Sequence, residues 1–140
     1  MSQENNPGAS KVRKVLHVLF KVLLTLISII PILGVTGIFP EPTREMYNTD
    51  EAFKFIQVLI IDAGYIQYCI AFAFAVTVIL LWSGREALAA IIITPVTINI
   101  VGYHMFIDGG LLTGGAIMGN VLFLLNLYFL WQNTHRYKFL

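Results

Sequence analysis

Charge is what this sequence has least of. Asp, Glu, Lys and Arg make up 12% of its 140 residues, against roughly 25% in a soluble domain. A soluble domain this short leaves much of its surface in water and needs more charge than this to stay dissolved. The scarcity excludes a water-covered globule and requires lipid over most of the surface. Cysteine is nearly absent as well. The single one, Cys69, lies inside an apolar run. It excludes an internal disulfide and a cysteine-only metal cluster, and it reads as a buried, inert thiol. The net charge of +1 offers nothing to nucleic acid. No glycine-rich nucleotide loop and no repeat of useful length interrupts the chain, which has room for one domain.

What is present is apolar: 57% of the residues are hydrophobic. Val22–Pro40, Ala63–Gly84, Ala87–Ile107 and Gly109–His135 contain no Asp, Glu, Lys or Arg. A membrane-spanning helix needs about 20 such residues at a rise of 1.5 Å each. The expected fold is all-α, an integral membrane four-helix bundle with spans at about 17–39, 63–83, 87–107 and 115–132. Pro31 and Pro95 fall inside two of these spans. Neighbouring helices in a bundle can satisfy the carbonyls that proline frees. Residues 1–10 read as a disordered, polar, cytoplasmic tail, and residues 11–140 as the four-helix transmembrane domain. The first apolar stretch is too long for a signal peptide and is expected to be retained.

The basic residues set an orientation. Lys11, Arg13, Lys14, Lys21, Arg85, Arg136 and Lys138 fall on one side of such a bundle, and Arg44 and Lys54 on the other. Both termini are expected in the cytoplasm, with Lys11, Arg13, Lys14, Arg85, Arg136 and Lys138 as topology anchors. Trp82 and Trp131 end two spans on that side, while Tyr65, Tyr68 and Tyr103 fall near the opposite interface. The outer loop between the first two spans contains DEAFKFIQVLIID, residues 50–62. It reads as a short interfacial helix capped by Thr49 or Asp50, or else as an early continuation of the second span jointed at Gly64. The separate helix is the favoured reading. Gly109, Gly110, Gly114 and Gly115 are assigned to a tight outer turn.

The third span is the chemically informative one. His104 and Asp108 are four residues apart and share a helical face. Asp108 would fix the tautomer of His104, which suits proton handling or orientation toward a ligand. The alternative is hydrogen bonding between helices that holds the bundle together. If the bundle has one polar pocket, its expected wall is Asn99, Tyr103, His104 and Asp108 with Asn120 from the fourth span. One His and one Asp do not make a metal site, so no metal is expected. Gly115 and Gly119 form a small-x-x-x-small pair that permits close helix contact.

The stretch LLWSGREALAAIIITPVTINIVGYHMFID resembles the core of DoxX-like membrane proteins. Gly84, Arg85, Pro95, Asn99, Ile100 and His104 stand in the matching places, and the tail with Asn126, Tyr128, Trp131 and Arg136 is also similar. The resemblance covers about residues 80–136. It implies a small bacterial inner-membrane protein of four helices. Some relatives are associated with thiosulfate:quinone oxidoreductase or with oxidative-stress complexes, so a quinone is the one cofactor the resemblance suggests. Family members often carry a Glu in the second span where this chain has Phe74, so a role tied to that Glu does not carry over. The function expected on balance is an accessory or scaffold subunit of the membrane that acts through helix packing. Its partner would be a membrane protein or another copy of itself. The alternative is a quinone- or small-ligand-binding component of a redox system, with an outward-facing pocket around His104. Fold alone transfers neither.

Overall fold

The computed structural model describes residues 7–137. Five α-helices and no strands occur among the described residues: α1 (Pro7–Gly34), α2 (Asp50–Gln57), α3 (Tyr65–Trp82), α4 (Glu86–Phe106) and α5 (Gly114–Gln132). Four of them, α1, α3, α4 and α5, are long and apolar enough to cross a membrane. In hydrocarbon every backbone N–H and C=O must find its partner within the protein, and a helix supplies those partners from its own chain. That requirement carries α1 and α4 through Pro31 and Pro95 without a break.

The boundaries differ from expectation at three places. Residues 7–10 are helical and belong to α1, not to a disordered tail. The rest of that tail, and the anchor Lys138, lie outside the described residues. Helix α1 also ends at Gly34 and not near residue 39. Residues 35–40 are apolar, but Gly37 adopts a φ of 75° and ends helical geometry there. Finally, Gly114 and Gly115 form the first turn of α5. The turn between α4 and α5 rests on Gly109 and Gly110 alone, whose φ values of 84° and 112° strongly favour glycine.

Residues 50–62 form a separate element. Thr49 Oγ1 accepts from Ala52 N at 3.0 Å and caps α2. A π-helical turn follows at Val58–Asp62, closed by Ala63 N donating to Val58 O at 2.8 Å. Ala63 and Gly64 then separate it from α3.

Helix α3 packs on α4 and α4 on α5, and α1 lies mainly against α3 with a smaller contact to α5. Leu24, Phe74, Leu81, Ile93, Leu122 and Phe129 fill the middle. Helices α4 and α5 approach each other closely. A Cβ at Gly119 would lie 2.6 Å from Ile100 Cγ2, and one at Gly115 would lie 3.3 Å from His104 Cε1. The glycine pair thus lets α5 press its backbone against α4 side chains. Outward, Val15, Leu26, Phe72, Ile79, Ile98 and Leu124 are exposed, as expected of faces that meet lipid. Cys69 is exposed on such a face and is not the buried thiol the sequence suggested. An apolar run predicts lipid contact as readily as core burial.

Candidate functional site

Helix α4 and the turn after it deliver His104 and Asp108 to the end of the bundle that carries the long loop after α1. His104 Nδ1 lies 3.0 Å from Asp108 Oδ2. An ionised carboxylate only accepts, so Nδ1 holds the proton and donates. Asp108 Oδ1 accepts from the backbone N of Asn48 at 2.9 Å. Asn48 Nδ2 donates to the Asp108 carbonyl at 3.2 Å, and Thr49 Oγ1 to the Ile107 carbonyl at 2.6 Å. The Asp108 carboxylate is therefore a staple: one oxygen orients His104, and the other fixes the loop between α1 and α2. Both side chains are largely covered, at 13% and 4% exposure. Burial first, and then the charge of Asp108, raise the pKa of the Tyr47 phenol above its ordinary value.

The five residues expected around one pocket are not gathered into one. His104 and Asp108 meet. Tyr103 packs beside His104, ring centroids 4.9 Å apart, but its ring also stacks on Phe55 of α2 and its hydroxyl is 3.5 Å from the Ala52 carbonyl. Asn99 is exposed and donates to the Pro95 carbonyl of its own helix at 2.8 Å. The reason is rotational: five residues at 3.6 per turn put Asn99 about 140° round the helix from His104. Asn120 donates to the Leu111 carbonyl at 2.7 Å and secures the turn before α5.

A second polar cluster forms at the opposite end, which we term the basic end. Glu86, the first residue of α4, places Oε1 3.0 Å from Lys21 Nζ and 3.0 Å from His17 Nε2, both on α1. His17 Nδ1 is 3.2 Å from the Tyr128 hydroxyl of α5, which also accepts from Gln132 Nε2 at 3.0 Å. The directions follow from the donors available. Glu86 can only accept, so His17 Nε2 donates to it. With the imidazole neutral, Nδ1 is an acceptor, and the Tyr128 hydroxyl must donate to it. A chain of donors thus runs from Gln132 through Tyr128 and His17 to Glu86. Lys21 lies over the Trp82 ring at 5.0 Å, and Trp82 Nε1 donates to Thr25 Oγ1 at 2.9 Å. The cluster joins α1, α3, α4 and α5.

Nothing in the sequence pairs His17 or Lys21 with Glu86. Glu86 is 65 residues from Lys21, and no local spacing connects them. The available signal was an acid, Glu86, directly beside Arg85 on the side of the bundle rich in basic residues. The topology anchors Lys11, Arg13, Lys14, Arg85 and Arg136 are exposed at this end, and Gly84, at φ 78°, makes the turn that presents Arg85.

Between the two ends, Asn126 of α5 is fully buried and donates to Thr94 Oγ1 at 2.9 Å and to Thr97 Oγ1 at 3.3 Å, both on α4. Its Oδ1 is the one buried side-chain polar atom among the described residues that lacks a partner. No group of three or more His, Cys, Asp or Glu side chains placed to hold a metal occurs among the described residues. No protein-family model, curated protein or solved structure matches the chain.

Proposed function

We propose that this chain is an accessory or scaffold subunit of a membrane, acting by helix contacts with a second membrane protein or with another copy of itself. One observation carries the reading. Glu86, Asn126 and His104, the most covered acid, amide and imidazole of the spans, are bonded within the same chain. Glu86 holds Lys21 and His17, Asn126 holds Thr94 and Thr97, and His104 is held by the Asp108 that also fixes Asn48. Such bonds fix helix positions and leave the lipid-facing surface as the part that meets other molecules. That surface is broadest on α1, where 11% of the span is buried inside the bundle, against 33% for α5.

The resemblance to DoxX-like proteins belongs to the same proposal, together with a bacterial inner-membrane location and cytoplasmic termini. It rests on Gly84, Arg85, Pro95, Asn99, Ile100 and His104. Purification in mild detergent, with mass spectrometry of proteins and small molecules together, tests the function. A stoichiometric protein partner or a defined homo-oligomer is expected. A monomer carrying quinone and turning it over would replace this reading with the redox alternative.

A further inference from the structure

At the basic end, α1 and α5 leave a groove of about 410 Å³, open along one side. Leu16 and Phe20 of α1 and Tyr128 and Trp131 of α5 line it, and Arg13 and Gln132 supply its polar groups. Phe20 stands edge-on to Tyr128, with centroids 4.8 Å apart and planes at 90°, so the wall is aromatic and well supported. The lining is otherwise apolar, a poor container for water and a good one for an alkyl chain.

The charge around the groove identifies what the chain should be attached to. Among the described residues at this end, Lys11, Arg13, Lys14, Lys21, Arg85 and Arg136 face a single carboxylate, Glu86. That carboxylate is already bonded to Lys21 and His17. Arg13, in the groove lining itself, carries no ion pair within the described residues. Gln132 gives one amide N–H to Tyr128, and a side-chain amide has a second to donate. Trp131 is exposed and sits one residue from the end of its span, at the depth where indole rings meet headgroups. An apolar slot between two spans, closed at headgroup level by a guanidinium and an amide, matches a diacyl lipid with an anionic phosphate.

We propose that this groove binds one anionic phospholipid, with an acyl chain along Leu16 and Phe20 between α1 and α5 and its phosphate on Arg13 and Gln132. A zwitterionic lipid brings its own cation toward Arg13 and the surrounding basic residues and is disfavoured. The bound chain covers α1 where the protein covers it least.

Native mass spectrometry of the full chain, released from detergent after equilibration with phosphatidylglycerol or phosphatidylcholine, tests the site. One phosphatidylglycerol per chain should be retained and phosphatidylcholine lost. Arg13→Ala should lower the retained fraction about fivefold, the weight of one basic side chain near an anionic partner. Leu16→Trp, which fills the slot, should lower it as well. Arg85→Ala removes a cation at the same end but outside the groove and should change nothing. Circular dichroism confirms that the variants keep their helices, and both Arg13 and Arg85 are exposed. Equal retention of the two lipids overturns the proposal. So does equal weakening by Arg13→Ala and Arg85→Ala, which would mean diffuse attraction, or displacement of phosphatidylglycerol by inorganic phosphate alone, which would mean that the slot contributes nothing.

Discussion

Lys21 Nζ and Glu86 Oε1 lie 3.0 Å apart, linking the first span to the start of the third. Both side chains are mostly covered, at 14% and 17% exposure, and His17 shares the same carboxylate oxygen. Removing the acid leaves a cation and a donor without their acceptor. Glu86→Ala is expected to lower stability in detergent by about 1–2 kcal/mol, below the cost of a fully buried break because Lys21 can extend toward the headgroups. Exchanging the charges, Lys21→Glu with Glu86→Lys, should restore more than half of the loss. A double-mutant cycle by thermal unfolding reads the coupling directly, and additive single effects would remove the pair from the account.

Gly119 is the second structural test. A methyl placed there meets Ile100 Cγ2 at 2.6 Å, so Gly119→Ala is expected to cost about 1–3 kcal/mol by overpacking. Ile100→Ala in the same chain should recover part of it. Unfolding midpoints of the two single variants and the double variant check this, and a neutral Gly119→Ala would mean that α4 and α5 are not in such close contact.

The loop between α1 and α2 depends on Asp108 and is expected to respond to pH through Tyr47. Its phenol has a pKa raised by burial and by Asp108. The neutral form is therefore the one the fold prefers. Loop attachment is at full strength below the ordinary phenol value of 10.0 and is lost as pH rises through the higher folded value. Ultraviolet difference spectra of wild type against Tyr47→Phe should show Tyr47 ionising later than a free phenol. Asp108→Asn should bring that ionisation earlier. An ordinary titration in the wild type would mean that the loop does not sit against α4.

Much of this was legible in the sequence. Uncharged runs located the four spans, because lipid penalises charge wherever a helix crosses it. The i, i+4 spacing foretold the contact of His104 with Asp108. Helix ends were less legible: the chain keeps its apolar character beyond the end of α1 at Gly34, and hydropathy does not register backbone conformation such as the positive φ of Gly37. Contacts distant in sequence were not legible at all. Asn48 reaches Asp108 across 60 residues and His17 reaches Glu86 across 69. Asn99 was the avoidable error, since the helical angle separating it from His104 follows from spacing alone.

Topology follows from the side on which Lys11, Arg13, Lys14, Arg85 and Arg136 gather. Reporters fused at either terminus should be active in the cytoplasm, and one inserted at 46–50 should be active outside. Outer activity at both termini would reverse the orientation.

The central claim is that polar groups inside the spans hold helices together. His104, bonded to Asp108 and packed on Gly115, tests it most directly. Stability and bound small molecules should be measured side by side for His104→Gln and His104→Ala. Glutamine can still donate toward Asp108, so His104→Gln should be nearly silent. His104→Ala should lose about 1 kcal/mol of stability, and the complement of bound small molecules should be unchanged in both. Loss of a bound molecule from both variants at unchanged stability would contradict the account.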